Sequence, residues 1–223
     1  MTSQSEQLKI AAARASLAHI TPDSIIGIGS GSTVNCLIRL LPDLGFKLKG
    51  AVAASTASER LLHEVGVPVI DLSQVDRLSL YIDGADEIDH ALNLIKGGGA
   101  ALTREKIIAA NSDEFICIAD HSKYVPVLGK FPLPIEIISM AKHSIMQLMQ
   151  SLGGKPVQRP GLITDNGHPI IDVHDLAIAE PFVLEQMLNN TPGVVTNGIF
   201  AMHKPKLAYL ASPSGVRTVS PAI

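Results

Sequence analysis

Asp83, Asp86, Lys96 and Glu105 stand within one short stretch, DGADEIDHALNLIKGGGAALTREK over residues 83–106, with Gly97, Gly98 and Gly99 among them. Carboxylates can take and return a proton, and an ammonium can hold developing negative charge. Glycine lets backbone amides approach a ligand or adopt positive φ without steric cost. Such a set suits an oxygen-rich anionic substrate on which a proton is moved. Singly, each part has a plainer explanation. Asp83-Gly84 is an ordinary turn signal, a glycine triplet is a common flexible connection, and Glu105-Lys106 looks like a solvated helix face. Their conjunction favours a site, because glycine-rich backbone between charged residues works against stability, and such local conflict is expected where function demands it.

The flanking elements must position these groups. Leu80-Tyr81-Ile82 is apolar and β-prone, so Asp83, Gly84, Ala85 and Asp86 are expected in the loop where a buried strand ends. That edge is where α/β sheets keep their ligands. Ala100 to Ala110 reads as a helix carrying Glu105. Upstream, a strand at Ser24–Ile28 runs into Gly29-Ser30-Gly31-Ser32-Thr33 and then a helix from Val34 to Leu41. The helix's positive end and the loop's backbone amides predict an anion site there. A GxGxxG fingerprint starting at Gly27 would need glycine at Ser32, and no Gly-Lys-Ser/Thr follows for a Walker loop. A small phosphate ester therefore fits better than a nucleotide, with a Gly/Ser-rich turn before an ordinary N-cap as the alternative.

Residues 5–19 have helical spacing, with Lys9 near the start. Further strands are expected at 50–54, 67–72, 78–82 and 115–119, with a helix at 56–65; Lys123 follows the last strand closely. This alternation predicts an α/β fold, a Rossmann-like, mostly parallel sheet with helices on both faces. Prolines between 126 and 134 mark a boundary near 130. Residues 1–129 with 206–223 are assigned to the Rossmann-like catalytic domain, and 130–205 to a smaller α/β domain. Its expected elements are a strand at 135–138, a helix at 141–152, a hairpin pairing 161–164 with 170–173, a helix at 181–188 and a strand at 193–196.

With 223 residues, 46% of them hydrophobic, the chain has ample material for a core. Only 17% are charged and the net charge is −3, which gives neither a basic face for nucleic acid nor an acidic tail. No run approaches the roughly 20 apolar residues of a membrane span. MTSQSEQLKI lacks the order of a signal peptide. Cys36 and Cys117 show no CxxC pattern and the histidines no HExxH spacing, so buried thiols and no metal site are expected, in a soluble cytoplasmic protein.

IDGADEID at 82–89 followed by IKGGGAALTREKI at 95–107 resembles the A-type ribose-5-phosphate isomerase family. The resemblance continues in GIGSGSTV (27–34), FICIADHSK (115–123), LGKFPLPIEII (128–138), TDNGHPIIDVH (164–174) and PGVVTNGIFA (192–201). It implies interconversion of D-ribose 5-phosphate and D-ribulose 5-phosphate in the non-oxidative pentose phosphate pathway, without a cofactor and as a homodimer. It further implies Glu105 as the base at C1 and C2, Lys96 and the Gly97–Gly99 amides as stabilisers of the enediolate, and Asp83 and Asp86 as hydroxyl ligands. Asp83 is then the better candidate for opening the furanose. The phosphate would bind Ser30, Gly31, Ser32 and Thr33 with Lys123, and Lys9 nearby. Ser30 stands where the family commonly has threonine, so a hydroxyl is kept. The implied second domain is a small α/β, ferredoxin-like unit for assembly and cover of the site; MHKPKLAYL (202–210) departs from the family pattern. Two rival classes are a magnesium-dependent phosphohydrolase using Asp83 and Asp86, and a sugar-phosphate sensor without turnover.

Overall fold

The computed structural model describes residues 3–221. In chain order its helices and strands begin α1 (Gln4–Ser16), β1 (Ile25–Ile28), α2 (Ser32–Leu40), β2 (Gly50–Ala53), α3 (Thr56–Glu64), β3 (Leu78–Asp83), β4 (Glu87–Ile88), β5 (Leu94–Ile95), α4 (Leu102–Ala110) and β6 (Ser112–Asp120). They continue β7 (Leu133–Ile137), α5 (Lys142–Ser151), β8 (Lys155–Gln158), β9 (Ile170–His174), α6 (Pro181–Asn189), β10 (Val194–Asn197), β11 (Ile199–Phe200), β12 (Leu207–Ser212) and β13 (Gly215–Val219). Two compact units result, one from Met1–Ala85, Arg104–Tyr124 and Pro205–Ile223, the other from Asp86–Thr103 and Val125–Lys204. The proline break alone predicts a change of unit near residue 130. Residues 86–103 fall in the second unit because β4 and β5 pair with each other and β5 pairs with β11.

The first unit is built on a sheet ordered β13-β12-β6-β3-β1-β2. Strands β12, β6, β3, β1 and β2 run parallel, and β13 joins antiparallel at the edge. Central β3 is buried at every position except Ser79, as expected for a parallel strand covered on both faces. Ile26, Ile28, Leu80, Ile82, Ile116 and Ile118 form a core with Ala12 of α1 and Val34 and Leu37 of α2. The chain leaves β1 for β2 on one side and later enters β3 on the other. Neighbouring strands whose connections diverge in this way open a crevice at their carboxyl ends, where open α/β sheets bind ligands.

Segment 67–72 is not the strand that its apolar residues predict; it makes one isolated bridge, Val69 to Ala51. Pro68 has no N–H to extend a ladder, and Asp71 caps a short 3₁₀ turn at Leu72–Gln74 that leads the chain away.

The second unit runs β7-α5-β8-β9-α6-β10, with an antiparallel sheet ordered β10-β7-β9-β8. This is the ferredoxin-like split βαβ arrangement. Here the expected hairpin needs correction, because β9 pairs with β8 and not with 161–164. Pro160 and Gly161, the latter at φ +65°, break the chain after β8. Residues 164–168 close a turn of their own, Gly167 N–H to Thr164 O at 2.9 Å. Strand β8 tolerates Pro156 because it lies at the sheet edge.

Candidate active site

In the first unit the loops after β1 and β3 are sewn together at the start, Gly29 N–H donating to Ile82 O at 3.0 Å. Asp83, the last residue of β3, is fully buried. Its Oδ1 accepts from the amides of Gly84 at 2.7 Å and Ser30 at 3.1 Å, and its Oδ2 accepts from the Tyr81 hydroxyl. Glu105, in the first turn of α4, is also buried, with 3% exposure. Its Oε1 accepts from the Ser30 hydroxyl at 2.5 Å. One serine thus grips both acids, one through its amide and the other through its side chain. The burial of Glu105 rules out the solvated helix face that its sequence context allowed.

Gly29 makes this approach possible, since a Cβ there would lie 1.9 Å from the Asp83 carboxyl carbon. Tyr81 lies two residues before Asp83 and so on the same face of the strand. Its ring packs on Phe115 of the neighbouring strand, with centroids 4.7 Å apart. Burial pushes the Tyr81 phenol well above its usual pKa of 10, and the charges of Asp83 and Glu105 push it further the same way. The phenol is held as a donor to Asp83.

Gly31 is the N-cap of α2, with φ +91°, and no side chain caps this end. The first-turn amides around exposed Ser32 and half-buried Thr33 are therefore available to an anion. Lys123 is half-buried on a 3₁₀ turn after β6. Since β6, β3 and β1 are parallel, this is the same sheet edge as the Asp83 and Ser30 loops. Lys9 lies on the half-buried side of α1 and acts electrostatically on Cys36 of α2, lowering its thiol pKa against the stronger upward pull of burial.

The second unit carries Asp86, Lys96 and the glycines. Gly98 N–H donates to Asp86 Oδ2 at 2.8 Å. Lys96 is 3% exposed, and its ammonium lies 5.6 Å from the centroid of the Phe200 ring. Gly97 has φ +105°, and its carbonyl accepts from Ala100 N–H at 3.0 Å, closing the turn in which Ala100 itself takes φ +62°. The remaining acids of the motif are structural. Glu87 accepts from the amides of Gly129 and Phe131, both at 2.7 Å, while Asp89 accepts from Ala91 and Asn93. Among the described residues, no three His, Cys, Asp or Glu side chains gather into a metal-binding group. No helix among them is long and apolar enough to cross a membrane.

Residues 50–215 match the family model of ribose 5-phosphate isomerase A (phosphoriboisomerase A). The chain belongs to this family. It is 52% identical over 214 residues to ribose-5-phosphate isomerase A of Pasteurella multocida (strain Pm70), covering 96% of this chain and 98% of that protein. The crystal structure of ribose 5 phosphate isomerase A from Neisseria gonorrhoeae superposes with a TM-score of 0.97 at 42% identity over 100% of both chains. A D-ribose-5-phosphate isomerase in complex with phospho-erythronic acid gives 0.93 at 37% identity, over 98% of this chain and 100% of that one.

Set against this phosphoriboisomerase fold, the roles of three residues escape a reading of the motifs alone: Gly29, Tyr81 and Arg159. The first two carry a usable signal. A glycine between strand and helix start marks a close approach, and a tyrosine two residues before a buried aspartate needs a partner for its hydroxyl. Arg159 has no local signal, because the backbone it touches lies about 60 residues earlier, Gly98 by 61 positions and Gly97 by 62.

Proposed function

We propose that the chain interconverts D-ribose 5-phosphate and D-ribulose 5-phosphate through an enediolate, with Glu105 as the base serving both C1 and C2. Starting from the open-chain aldose, Glu105 takes the C2 proton. The bonding electrons form the C1–C2 double bond and the C1 carbonyl pair moves onto O1. Returning the proton to C1, while the O2 hydroxyl proton passes to O1, leaves the ketose. A base that serves both carbons must be held fixed within reach of each. The observation that carries this reading is buried Glu105 held by the Ser30 hydroxyl, whose amide also holds Asp83.

Asp83 binds hydroxyls and moves the proton when the furanose opens, and Asp86 binds a further hydroxyl. Lys96 and the Gly97 and Gly99 amides stabilise the enediolate oxygens, while the Gly98 amide is committed to Asp86. The phosphate takes the Ser30–Thr33 amides and Lys123, with Lys9 at the margin. The hydrogen moves as a proton, so no cofactor takes part.

In a coupled assay with ribose 5-phosphate, Glu105→Gln lowers turnover by about 10²–10⁴-fold, the usual contribution of a positioned base. Binding of phospho-erythronic acid survives. Wild-type enzyme washes solvent deuterium into C2 of the aldose or C1 of the ketose, and this exchange collapses in the variant in parallel with turnover. Near-normal exchange in the variant would move the base to another residue. Dialysis against EDTA leaves turnover intact; a loss that magnesium restores would turn the assignment toward a hydrolase.

The reading extends to a homodimer in the cytoplasm. Apolar side chains exposed on the second unit support self-association, among them Met140 at 95%, Ile163 at 64% and Val183 at 58%. Sedimentation at micromolar concentration reads a dimer, and a monomer there removes this part alone.

A further inference from the structure

A glycine loop can stabilise an oxyanion only if its amides are held in one direction, since glycine is the residue least able to fix its own backbone. In the second unit this restraint comes from Arg159, which follows β8. Its Nη1 donates to Gly97 O at 3.1 Å and to Gly98 O at 3.2 Å. Its Nε and Nη2 grip both oxygens of Asp172 on β9, at 2.7 and 2.6 Å. The two side chains are only 16% and 14% exposed.

In a trans peptide the N–H points opposite to the C=O. Arg159 holds the Gly97 carbonyl, and the amide of that same peptide, Gly98 N–H, faces the other way and donates to Asp86. By the same geometry, holding the Gly98 carbonyl turns the Gly99 N–H away from the guanidinium. A cation on a peptide oxygen also polarises the unit and strengthens its N–H as a donor.

We propose that Arg159, oriented by Asp172, is a positioning residue for the reaction: it fixes the peptides of the glycine loop so that the Gly98 amide orients Asp86 and the Gly99 amide faces the substrate's enediolate oxygens. The inference rests on the role given to the glycine loop under the proposed function. The residue type follows from the geometry. The guanidinium fork gives two donors to a carboxylate and still has a third nitrogen for the carbonyls, whereas a lysine ammonium is a point charge that cannot span both.

Two variants test it. Arg159→Lys keeps the charge and loses the fork. Arg159→Met/Asp172→Leu replaces both partners of the buried pair by apolar groups, which is far less damaging to a fold than leaving one charge unpaired. With ribose 5-phosphate, kcat falls in both by about 10–100-fold, the scale set by small misplacement of catalytic groups, and KM changes little. Affinity for phospho-erythronic acid falls by a similar factor, because its carboxylate presents two oxygens in place of the C1–C2 oxygens. The double variant melts near the wild-type temperature. Wild-type kcat in the double variant would overturn the proposal, as would a loss of kcat that merely tracks loss of melting temperature. If Glu105→Gln abolishes turnover while both Arg159 variants stay fully active, this inference alone fails. If Glu105→Gln itself stays active, the proposed function fails.

Discussion

The two units hold their acidic groups differently. In the first, Asp83 is fixed at the end of a central strand by two amides and a phenol, with no room between it and Gly29. In the second, half-buried Asp86 is held by the amide of a loop glycine, and that loop is held in turn by the Arg159–Asp172 pair. One arrangement puts rigidity into the proposed catalytic side chain itself; the other puts it into backbone that a cation distant in sequence restrains. Each restrains a group for which a role is proposed, and reacting groups must be held within a fraction of an ångström. They should fail in different ways when disturbed.

Paired glycine substitutions test that difference and carry the largest expected effect. A Cβ at Gly29 would meet the Asp83 carboxyl carbon at 1.9 Å, and one at Gly98 would meet Asp86 Oδ1 at 2.8 Å. Asp83 cannot step aside, being fully buried, whereas Asp86 can turn toward solvent. Gly29→Ala is expected to cost about 1–3 kcal/mol of stability through backbone shift and to lower kcat by about 10²-fold as Asp83 and Ser30 move. For Gly98→Ala, the loss is about 1 kcal/mol from the amide bond, with activity reduced less than in Gly29→Ala. Thermal unfolding and steady-state kinetics on both variants decide. Equal losses would erase the distinction.

The same difference explains what could be read in advance. Asp83, Lys96 and Glu105 stand out as candidates in the sequence because the chemistry proposed for them resides in their own side chains and they lie close together in the chain. The parallel sheet was legible because β1, β3 and β6 each contain an apolar run, at 25–28, 80–82 and 115–119, with long crossovers between them. Strand β8 escaped because Pro156 weakens its pattern, and edge position, which makes that proline tolerable, is a property of the assembled sheet. Segment 67–72 misled for the converse reason, being apolar enough for a strand but reduced to one bridge by Pro68. Residues 86–103 changed unit through β5–β11 pairing, which joins positions about a hundred residues apart and leaves no local trace.

Lys123→Ala probes the first unit at the proposed phosphate contact, away from the proposed proton transfer, and should have a smaller, cleaner effect. The phosphate does not react, so its contacts are similar in ground and transition states and their loss appears in KM. A charge-assisted hydrogen bond is worth about 1.5–3 kcal/mol, or roughly a 10- to 150-fold rise in KM at little change in kcat. A fall in kcat with KM unchanged would place Lys123 in the chemical step, and the edge of the sheet would then be more than a phosphate grip.

The smallest effect is a pH dependence confined to the first unit. The Tyr81 phenol is held well above its usual value of 10 by burial, with the charges of Asp83 and Glu105 adding to the shift. Below pH 10 the proton is bound in the folded and unfolded chain alike, so Tyr81 adds no slope to stability. Above it, the unfolded chain loses the proton while the folded chain keeps it. The folded state then binds more protons and stability falls as pH rises, by at most about 1.4 kcal/mol per pH unit for one group. Tyr81→Phe removes this contribution, and separately removes a donor to Asp83 at every pH. Melting temperatures measured between pH 8 and 11 should therefore start lower for the variant and decline less steeply than for the wild type. Parallel declines would mean that the phenol ionises as readily in the folded enzyme as in the open chain, and that burial beside Asp83 does not hold its proton.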